Sequence, residues 1–292
     1  MSLWDDIARA IGDASGTPFA PGSPGSLGGG CINSAFRLGD GVHDWFVKTN
    51  SADRLDMFEA EAAGLDALAD SGTLRVPRPL CTGISGNTAF IVMQHIAFGR
   101  NGAQGWRVAG RQLAAMHRHS ADAFGWSRDN TIGATPQPNA WHDDWIDFWR
   151  EQRLGFQLDL AARNGHGGRL QSLGEHLLSR FAVLVDHAPR PALLHGDLWG
   201  GNLSFDTAGT PVIYDPATYY GDREAELAMT ELFGGFSADF YAAYREAWPL
   251  DGGYRVRREL YNLYHVLNHL NLFGGGYAGQ AERMMQTLLA SC

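Results

Sequence analysis

Apolar residues recur along the chain at two different spacings, and each spacing predicts a type of secondary structure. Repeats every three to four residues predict amphipathic helices over residues 3–12 and 55–68. Two short runs, 35–38 and 45–48, are joined by a glycine-containing turn and predict a β-hairpin. A third run, 88–93, predicts a buried strand. The first third of the chain therefore predicts a small sheet accompanied by helices.

From residue 106 onward the pattern changes to longer helical stretches. Helices are predicted from 106 to about 119, from 141 to 160 and from 170 to 184. Two more are predicted between 254 and 289, split by the three glycines at 274–276. The aromatic residues of the 141–160 helix are spaced as core residues, and they are Trp141, Trp145, Phe148 and Trp149.

The change from strands to helices predicts an α+β fold in two lobes. We expect residues 1–96 to form an N-lobe with a small antiparallel sheet. We expect residues 97–292 to form a larger and mainly helical C-lobe. The boundary follows the predicted strand at 88–93, where the chain enters a loop with several glycines.

Composition is typical of a soluble cytoplasmic protein. The 292 residues are 45% hydrophobic and 19% charged, and no apolar run approaches the roughly 18 residues of a membrane span. The start of the chain lacks the pattern of a secretory signal. A net charge of −9 without clustered cations argues against a nucleic-acid partner. Three cysteines without a C-x-x-C motif indicate neither a disulfide framework nor a zinc ribbon.

The stretch 193–202, Leu-Leu-His-Gly-Asp-Leu-Trp-Gly-Gly-Asn, predicts a catalytic loop. Asp197 and Asn202 have the spacing of the base and the metal ligand in the H-R-D-x-x-x-x-N loop of protein kinases. Gly196 stands where that loop has arginine. After a predicted strand at 211–214, Asp215 can return beside Asn202. A carboxylate and a carboxamide are the oxygen ligands of a hard cation, so Asn202 and Asp215 are predicted to bind Mg²⁺.

A lysine and a glycine-rich turn predict a nucleotide site in the N-lobe. Gly29, Gly30 and Cys31 lie in a turn whose backbone N–H groups can approach phosphate oxygens, although an ordinary hairpin loop is the alternative. Lys48 ends an apolar strand, where a buried cation needs a partner. Glu61, on the predicted helix at 55–68, is the expected partner, and Glu59 is expected to face solvent.

The end of the predicted strand at 88–93 is a candidate for adenine binding. Backbone groups of Gln94, His95 and Ile96 can bond to the ring while Met93 packs beside it. A core strand that ends in a loop is an equally good local account. Farther along the chain, His265 and His269 are four apart, but no E-x-x lies between them, so we expect core or hydrogen-bonded histidines rather than a zinc site.

Taken together, these motifs resemble the fructosamine-3-kinase, or ketosamine-3-kinase, family over nearly the whole chain. The most specific motifs are Thr-Ile-Gly-Ala-Thr-Pro-Gln at 131–137 and the tryptophan after His-Gly-Asp-Leu at 195–198, whereas the HGD and DPA motifs are shared with aminoglycoside and choline kinases. Gln94 is a departure, because acidic residues are frequent at that position.

The resemblance implies a bilobal protein-kinase-like fold and transfer of the ATP γ-phosphoryl group to the 3-hydroxyl of a ketosamine, with Mg²⁺ as the metal. The substrate would be a small-molecule or protein-bound sugar adduct, and phosphorylation would promote its breakdown and free the amine. Asp197 would be the catalytic base. Trp199 would line the acceptor cleft, with core packing as the alternative. Cys31 would be a redox-sensitive thiol, with a buried structural cysteine as the alternative. The protein would be a monomer or a homodimer.

Two other functions remain open from the sequence. The first is another small-molecule kinase of the same fold, which acts on an aminoglycoside, choline or homoserine. The second is a pseudokinase or interaction module that binds a nucleotide without turnover. The family-specific stretch at 131–137 argues against the first, and the presence of Lys48, Asp197, Asn202 and Asp215 argues against the second.

Overall fold

An antiparallel sheet fills the N-terminal part of the computed structural model, which describes residues 2–28, 32–100 and 102–291. Its strands lie in the spatial order β1-β2-β3-β5-β4. Their bounds are β1 Gly25–Leu27, β2 Ser34–Gly39, β3 Asp44–Ser51, β4 Pro79–Ser85 and β5 Thr88–Gln94. The predicted hairpin and the predicted buried strand are both confirmed.

Helix α1, Leu3–Ser15, covers one face of this sheet. The Ser2 hydroxyl accepts a hydrogen bond from Asp5 N, and the Asp5 carboxylate accepts one from Ser2 N, so a capping box fixes the start of the helix. Ile7 and Ile11 are buried in a small core with residues of β2, β3 and β5. The amphipathic helix predicted at 3–12 is therefore present and is one turn longer than expected.

Helix α2, Leu55–Asp70, lies between the sheet and the C-lobe. Its Phe58 and Leu65 are fully buried. Gly64 faces the C-lobe, and a Cβ at this position would lie only 2.8 Å from Thr218 Oγ1. The helix can approach that closely because the residue is glycine. The approach brings Glu61, almost one turn earlier in α2, towards the segment that carries Asp215.

The rest of the described chain is mainly helical. The helices are α3 Ala103–Met116, α4 Trp145–Trp149, α5 Phe156–Arg163, α6 Arg169–Leu184, α7 Arg223–Leu232, α8 Ala238–Ala247, α9 Tyr254–Phe273 and α10 Tyr277–Leu289. The α+β fold in two lobes is confirmed, and α8 is an addition that the pattern did not predict. Among the described residues, no helix has the length and apolar character needed to cross a membrane.

The single helix predicted over 141–160 is wrong in two respects. Helix α4 begins only at Trp145, because Asp144 caps it by accepting the backbone N–H three residues on. Trp141 therefore lies outside the helix and is 49% exposed rather than buried in the core. Between α4 and α5 the chain follows a π-helix over Arg150–Gly155. This irregularity turns Arg153 into the core, where its side chain is fully buried.

Three short antiparallel strand pairs position the loops of the C-lobe. Strands β6, Asn130–Ile132, and β7, Thr135–Gln137, form a hairpin. Strands β8, Ala192–Leu194, and β11, Tyr219–Gly221, pair with each other, as do β9, Leu203–Phe205, and β10, Pro211–Ile213. The predicted catalytic loop runs from β8 to β9, and Asp215 follows β10 after one residue. The two segments therefore lie side by side.

Candidate active site

The loop from β8 to β9 folds around Asp197. Gly196 has a φ of 84°, and a Cβ there would overlap the carbonyl oxygen of Ala217. Only glycine avoids this clash, which explains the residue in place of the arginine of protein kinases. Asn202 Nδ2 donates to Asp197 O at 2.9 Å and lies 3.3 Å from Asp197 Oδ2. The five-residue spacing thus closes the loop on itself through the asparagine side chain.

A buried carboxylate behind the loop holds its backbone in place. Glu226 of α7 accepts hydrogen bonds from His195 N at 3.2 Å and from Gly196 N at 2.7 Å. His117 Nε2 lies 2.9 Å from the same carboxylate. Burial alone would raise the pKa of Glu226, but His117 and the backbone donors lower it below its usual range. Sequence reasoning missed Glu226, because a glutamate in an amphipathic helix resembles an ordinary solvent-facing residue.

Asp215 reaches the site through an unusual backbone conformation. Its φ is 59°, and it is the one described non-glycine residue with a positive φ. Hydrogen bonds hold the backbone before and after it: His195 Nε2 donates to Tyr214 O at 2.9 Å, and Ala217 N donates to His195 O at 2.8 Å. Strain held by its surroundings is frequent at functional sites. The Asp215 side chain is 47% exposed towards the cavity.

Lys48 is the only lysine in the chain, and it binds two carboxylates. Its Nζ lies 2.6 Å from Glu61 Oε1 and 2.5 Å from Asp215 Oδ1. Burial would lower the pKa of Lys48, but the two negative charges outweigh it and raise that pKa above its ordinary value. The predicted Lys48–Glu61 ion pair is confirmed. Glu59 points elsewhere and lies 3.6 Å from Arg128.

One cavity of about 740 Å³ unites the predicted residues that the structure describes. Its wall contains Lys48, Glu61, Met93, Gln94, His95, Ile96, Asp197, Trp199, Asn202 and Asp215. Burial and the nearby charge of Asp215 raise the pKa of Asp197 well above its ordinary value. Gly29, Gly30 and Cys31 lie outside the described residues, so their part in the site stays a prediction.

Three residues at the end of β5, Gln94, His95 and Ile96, line the cavity. Gln94 N donates to Arg78 O at 2.8 Å, which ties this end to β4. Within the described residues, the backbone N–H of Ile96 has no hydrogen-bond acceptor. Met93 is buried beneath this segment. The end of β5 therefore combines an apolar side chain with an unbonded main-chain donor, a combination that is common in ligand pockets.

The cavity also has walls that sequence reasoning did not assign to the site. The β6–β7 hairpin contributes Thr131 and Gly133. Phe98 and Tyr214 stack with their ring centroids 5.4 Å apart, and both line the cavity. Aromatic residues separated by more than 100 positions leave no periodic signal, so only the fold brings this pair together. The family-specific motif at 131–137 was the one signal for the hairpin.

Buried polar contacts hold the β6–β7 hairpin in position. Arg153 donates to Pro138 O at 2.6 Å and to Asn139 Oδ1 at 2.7 Å. Gln137 Nε2 donates to Ala217 O at 3.1 Å, beside the loop that carries Asp215. The guanidinium of Arg153 lies 4.2 Å from the ring centroid of Tyr219. The inward turn of the π-helix therefore supports the wall of the site.

Trp199 belongs to the cavity wall rather than to the hydrophobic core. Its ring is 39% exposed and lies across Gly201. A Cβ at Gly201 would overlap the indole, so the glycine makes room for the ring. Because Trp199 and Asp197 line the same cavity, a molecule bound beside Asp197 can contact the ring.

The histidines of α9 occupy a core position and a hydrogen-bonded position. His265 is buried, and burial lowers its pKa to about 3, while His269 Nδ1 bonds to His265 O at 2.8 Å. Over residues 2–28, 32–100 and 102–291, the one cluster with three suitable ligand atoms is His187, Asp222 and Glu224. The guanidinium of Arg257 already binds Glu224 there, at 2.7 Å. The predicted hydrogen-bonded or core histidines are confirmed.

Comparison with known proteins identifies the relatives of this chain. The family model described as fructosamine kinase matches residues 3–291. A probable ketoamine kinase of Synechocystis sp. is 50% identical over 98% of this chain and 97% of its own. A chloroplastic protein-ribulosamine 3-kinase of Oryza sativa is 45% identical over 90% of this chain and 78% of its own.

Two solved structures are similar to this fold over nearly the whole chain. A crystal structure assigned to the fructosamine-3-kinases, from Haemophilus somnus, has a TM-score of 0.90 and 28% identity, covering 98% of this chain and 97% of that chain. An aminoglycoside phosphotransferase solved with AMP-PNP and hygromycin B has a TM-score of 0.65 and 15% identity, covering 98% of both chains. At that identity the likeness concerns the fold alone, which is the protein-kinase-like fold.

Proposed function

The chain belongs to the fructosamine kinase family, and from this membership we propose that it transfers the γ-phosphoryl group of ATP to the 3-hydroxyl of a ketosamine. A ketosamine forms when a reducing sugar condenses with an amine, which is carried by a small molecule or by a protein lysine. The observation that carries the proposal is the convergence of Lys48, Asp197, Asn202 and Asp215 on one cavity. An inactive module would not need all four groups.

Asp197 orients the acceptor hydroxyl and receives its proton. The carboxylate is partly buried, and the Asn202 side chain braces its loop at 2.9 Å. Phosphoryl transfer has a loose transition state, so positioning the hydroxyl in line with the γ-phosphate matters more than early removal of its proton. The oxygen of the hydroxyl then bonds to phosphorus as the bond to ADP breaks.

Lys48 neutralises phosphate charge during the transfer. Glu61 aims the ammonium group into the cavity from a helix that is locked against the C-lobe. Asp215 binds the same ammonium at 2.5 Å. When phosphate oxygens approach, they replace Asp215 as partners of Lys48 and leave that carboxylate available for a cation.

The donor atoms beside Asp197 fit Mg²⁺. The Nδ2 atom of Asn202 faces the carbonyl oxygens of Asp197 and Asp215, so the Oδ1 atom of Asn202 faces away from them. The Asp215 carboxylate is half-exposed beside it. Two hard oxygen ligands with open positions are the arrangement that Mg²⁺ takes when it shares its shell with phosphates and water. When bound, the ion supplies charge neutralisation on the phosphoryl group.

The nucleotide base lies against the end of β5. Met93 provides the apolar floor, and main-chain groups of Gln94, His95 and Ile96 bind the adenine edge. This assignment places the lobe boundary between residues 96 and 97. It also assigns phosphate binding to Gly29, Gly30 and Cys31, because glycine lets backbone N–H groups approach an anion.

Cys31 in this phosphate loop acts as a redox switch, because bulk on its sulfur obstructs the phosphates. Peroxide treatment followed by an activity assay tests the switch on wild type, Cys31→Ala and Cys81→Ala. Cys81 is the matched control, since burial raises its pKa to about 11 and keeps the thiol protonated. Only Cys31→Ala should resist inhibition, and ATP should protect wild type. Equal inhibition of wild type and Cys31→Ala would disprove the switch.

Phosphorylation at the 3-position promotes loss of the sugar and returns the free amine, so the reaction repairs glycated amines. We place this activity in the cytoplasm, in a monomer or homodimer without a nucleic-acid or membrane partner. The net charge of −9 supports the absence of a nucleic-acid partner, the composition supports the absence of a membrane partner, and the oligomeric state is the one that the family resemblance implies. Sedimentation of the purified protein and fractionation of the source cells test them directly.

The substrate assignment is tested by ATP consumption over a panel of acceptors. The panel contains ribulosyl-lysine, erythrulosyl-lysine, fructosyl-lysine, an aminoglycoside and choline, and ³¹P NMR locates the phosphate on any product. We expect turnover with at least one ketosamine and phosphate on its 3-oxygen. Turnover only with the aminoglycoside or choline would identify another kinase of this fold. No turnover with any acceptor would identify a nucleotide-binding module.

A further inference from the structure

An aromatic surface continues from the acceptor side of the cavity onto the C-terminal helices. Trp199 lines the cavity, and its ring centroid lies 6.4 Å from that of Phe233 in an edge-to-face arrangement. Phe233 follows α7 directly and lies 4.7 Å from the ring of His269 in α9. The rings of Phe273 and Tyr277 lie 5.5 Å and 5.3 Å from His269. We call these five side chains the aromatic strip.

The aromatic strip is accessible at both ends. Trp199 is 39% exposed at the cavity end, and Phe273 is 61% exposed at the far end. Phe273 is the last residue of α9, before glycines 274–276. Phe273 is in ring contact with the rest of the strip, and a contiguous exposed apolar surface, unlike a single exposed residue, indicates a binding site.

The turn of the β6–β7 hairpin connects the strip to the cavity from the other side. Gly133 lines the cavity, and a Cβ there would lie 3.3 Å from Leu272 Cδ1. Leu272 is in the last turn of α9, next to Phe273. A molecule that leaves the cavity beside Gly133 and Trp199 therefore meets the end of α9.

His269 presents a hydrogen-bond acceptor within this apolar surface. Its Nδ1 lies 2.8 Å from His265 O. A carbonyl oxygen can only accept, so Nδ1 carries the hydrogen, and Nε2 of the neutral ring carries a lone pair. In the part of the chain that the structure describes, no side-chain or backbone donor is bonded to Nε2. Ring faces and one acceptor nitrogen suit a ligand that is apolar along its length and carries an N–H group.

We propose that the aromatic strip binds the amine carrier of the ketosamine and that it selects substrates linked to a lysine side chain. This inference rests on the proposed function. In a ketosamine, three bonds separate C3 from the amine nitrogen, a span of roughly 3–4 Å. With the 3-hydroxyl at Asp197, the nitrogen falls beside Trp199, two residues farther along the chain. The carrier then extends over Phe233 and His269 towards Phe273.

The chemistry of a lysine carrier matches the strip at each point. The secondary ammonium group is attracted to aromatic faces, and the four methylenes behind it pack on ring surfaces. An extended lysine side chain spans roughly 6 Å, close to the step from Trp199 to Phe233. No lysine or arginine belongs to the strip, so it offers no fixed positive charge that would repel the ligand.

The test compares two acceptors that share the sugar and differ in the carrier. One is ribulosyl-methylamine, and the other is a blocked peptide with a central ribulosyl-lysine. Variant Phe273→Ala removes the exposed end of the strip. Val183→Ala is the matched control, because Val183 is 55% exposed on α6 and lies outside the site. We expect Phe273→Ala to lower kcat/KM for the peptide roughly tenfold, with little change for the methylamine adduct or for the KM of ATP.

Variant His269→Phe keeps a ring in the middle of the strip and removes the acceptor nitrogen. It should also lower kcat/KM for the peptide more than for the methylamine adduct. Equal losses on both acceptors, or no loss on either, would overturn the inference. The inference would also be overturned if Phe273→Ala changed the molecular mass in solution but left the ratio of the two kcat/KM values unchanged. The strip would then be a contact between two copies of the chain.

Failure of the proposed function would look different. In that case wild type would consume ATP with neither ribulosyl compound. Failure of the further inference alone leaves wild-type turnover intact and removes only the difference between the two carriers.

Discussion

Two groups of charged side chains flank the loop that carries Asp197, and they differ in how completely their charges are satisfied. Behind the loop, Glu226 and His117 are fully buried and bonded to each other and to backbone donors. In front of it, Lys48 and Glu61 are nearly buried, but Asp215 is half-exposed to the cavity. The rear group has no bonding capacity left for a ligand. The front group does, because a ligand can replace one of its members.

The same distinction accounts for the cluster that resembles a metal site. Asp222 accepts hydrogen bonds from His187 at 2.7 Å and Tyr261 at 2.6 Å, and Arg257 binds Glu224 and Asp186. Every charge there has a protein partner. Saturated clusters therefore hold the fold, and the incompletely saturated cluster marks the chemistry.

The largest expected effect is on turnover in Asp197→Asn. The change preserves shape but removes the proton acceptor, so we expect kcat to fall about a thousandfold while ATP binding remains. Steady-state kinetics and a nucleotide-binding titration measure the two quantities. Normal turnover would reassign the base, and a parallel loss of ATP binding would show that the carboxylate serves the nucleotide instead.

The rear group is tested by Glu226→Gln, with Glu61→Gln as its counterpart in front. A glutamine at this position would place an N–H group against the backbone N–H groups of the loop, where two donors cannot bond. It would also remove the negative charge that His117 contacts. We expect the free energy of unfolding to fall by about 3 kcal/mol in Glu226→Gln. In Glu61→Gln we expect a raised KM for ATP and a smaller loss of stability. Urea denaturation measures the stability of both variants, and steady-state kinetics measure their KM for ATP. A larger stability loss in Glu61→Gln, together with a larger rise of the KM for ATP in Glu226→Gln, would refute the comparison.

A smaller effect is expected in Trp199→Ala. The ring lies in the cavity wall and outside the core. If it contacts the acceptor as proposed, the KM for the ketosamine should rise roughly tenfold and the KM for ATP much less. Thermal stability should change little. Equal increases of both KM values together with a lower Tm would return Trp199 to a packing role.

The smallest effect concerns pH and the pair of His187 and Asp222. Burial would lower the pKa of His187, but the bond to Asp222 outweighs it and raises that pKa above the ordinary 6.5. Its contribution is therefore complete below pH 6.5 and disappears as the pH rises through the raised value. We expect wild type to lose on the order of 1 kcal/mol in that range, which is less than the roughly 1.5–3 kcal/mol of a buried charge-assisted hydrogen bond because His187 is partly exposed to solvent. The urea midpoint of His187→Gln should vary less with pH than that of wild type. If the midpoints of both proteins changed with pH in parallel, the assignment to His187 would be wrong.

Two kinds of feature could be predicted from sequence: periodic or local motifs, and charged residues within apolar segments. Lys48 at the end of an apolar strand required a partner, and the helix at 55–68 offered Glu61. The spacing of Asp197 and Asn202 is local, so it was visible as a motif. Glu226 was not, because its role depends on His117, which is more than 100 residues away, and burial is a property of the fold.

Irregular backbone was the second limit of prediction. The π-helix at 150–155 keeps the composition of an α-helix but rotates Arg153 into the core. Trp141 has the spacing of a core residue, yet the cap at Asp144 excludes it from the helix. In the sequence, Gly201 is indistinguishable from an ordinary turn glycine, although in the structure its missing side chain makes room for the Trp199 ring. Each outcome depends on contacts that a periodic pattern does not encode.

The presence of a single lysine has a consequence for the enzyme as a chemical target. Sugars condense with uncharged amines, and the one ε-amine of this chain is buried, protonated and bound to two carboxylates. Its other side-chain cations are arginines, which do not form ketosamines. Apart from its terminal amine, the chain therefore has no exposed amine on which a sugar could form a ketosamine, the kind of adduct that a ketosamine kinase phosphorylates.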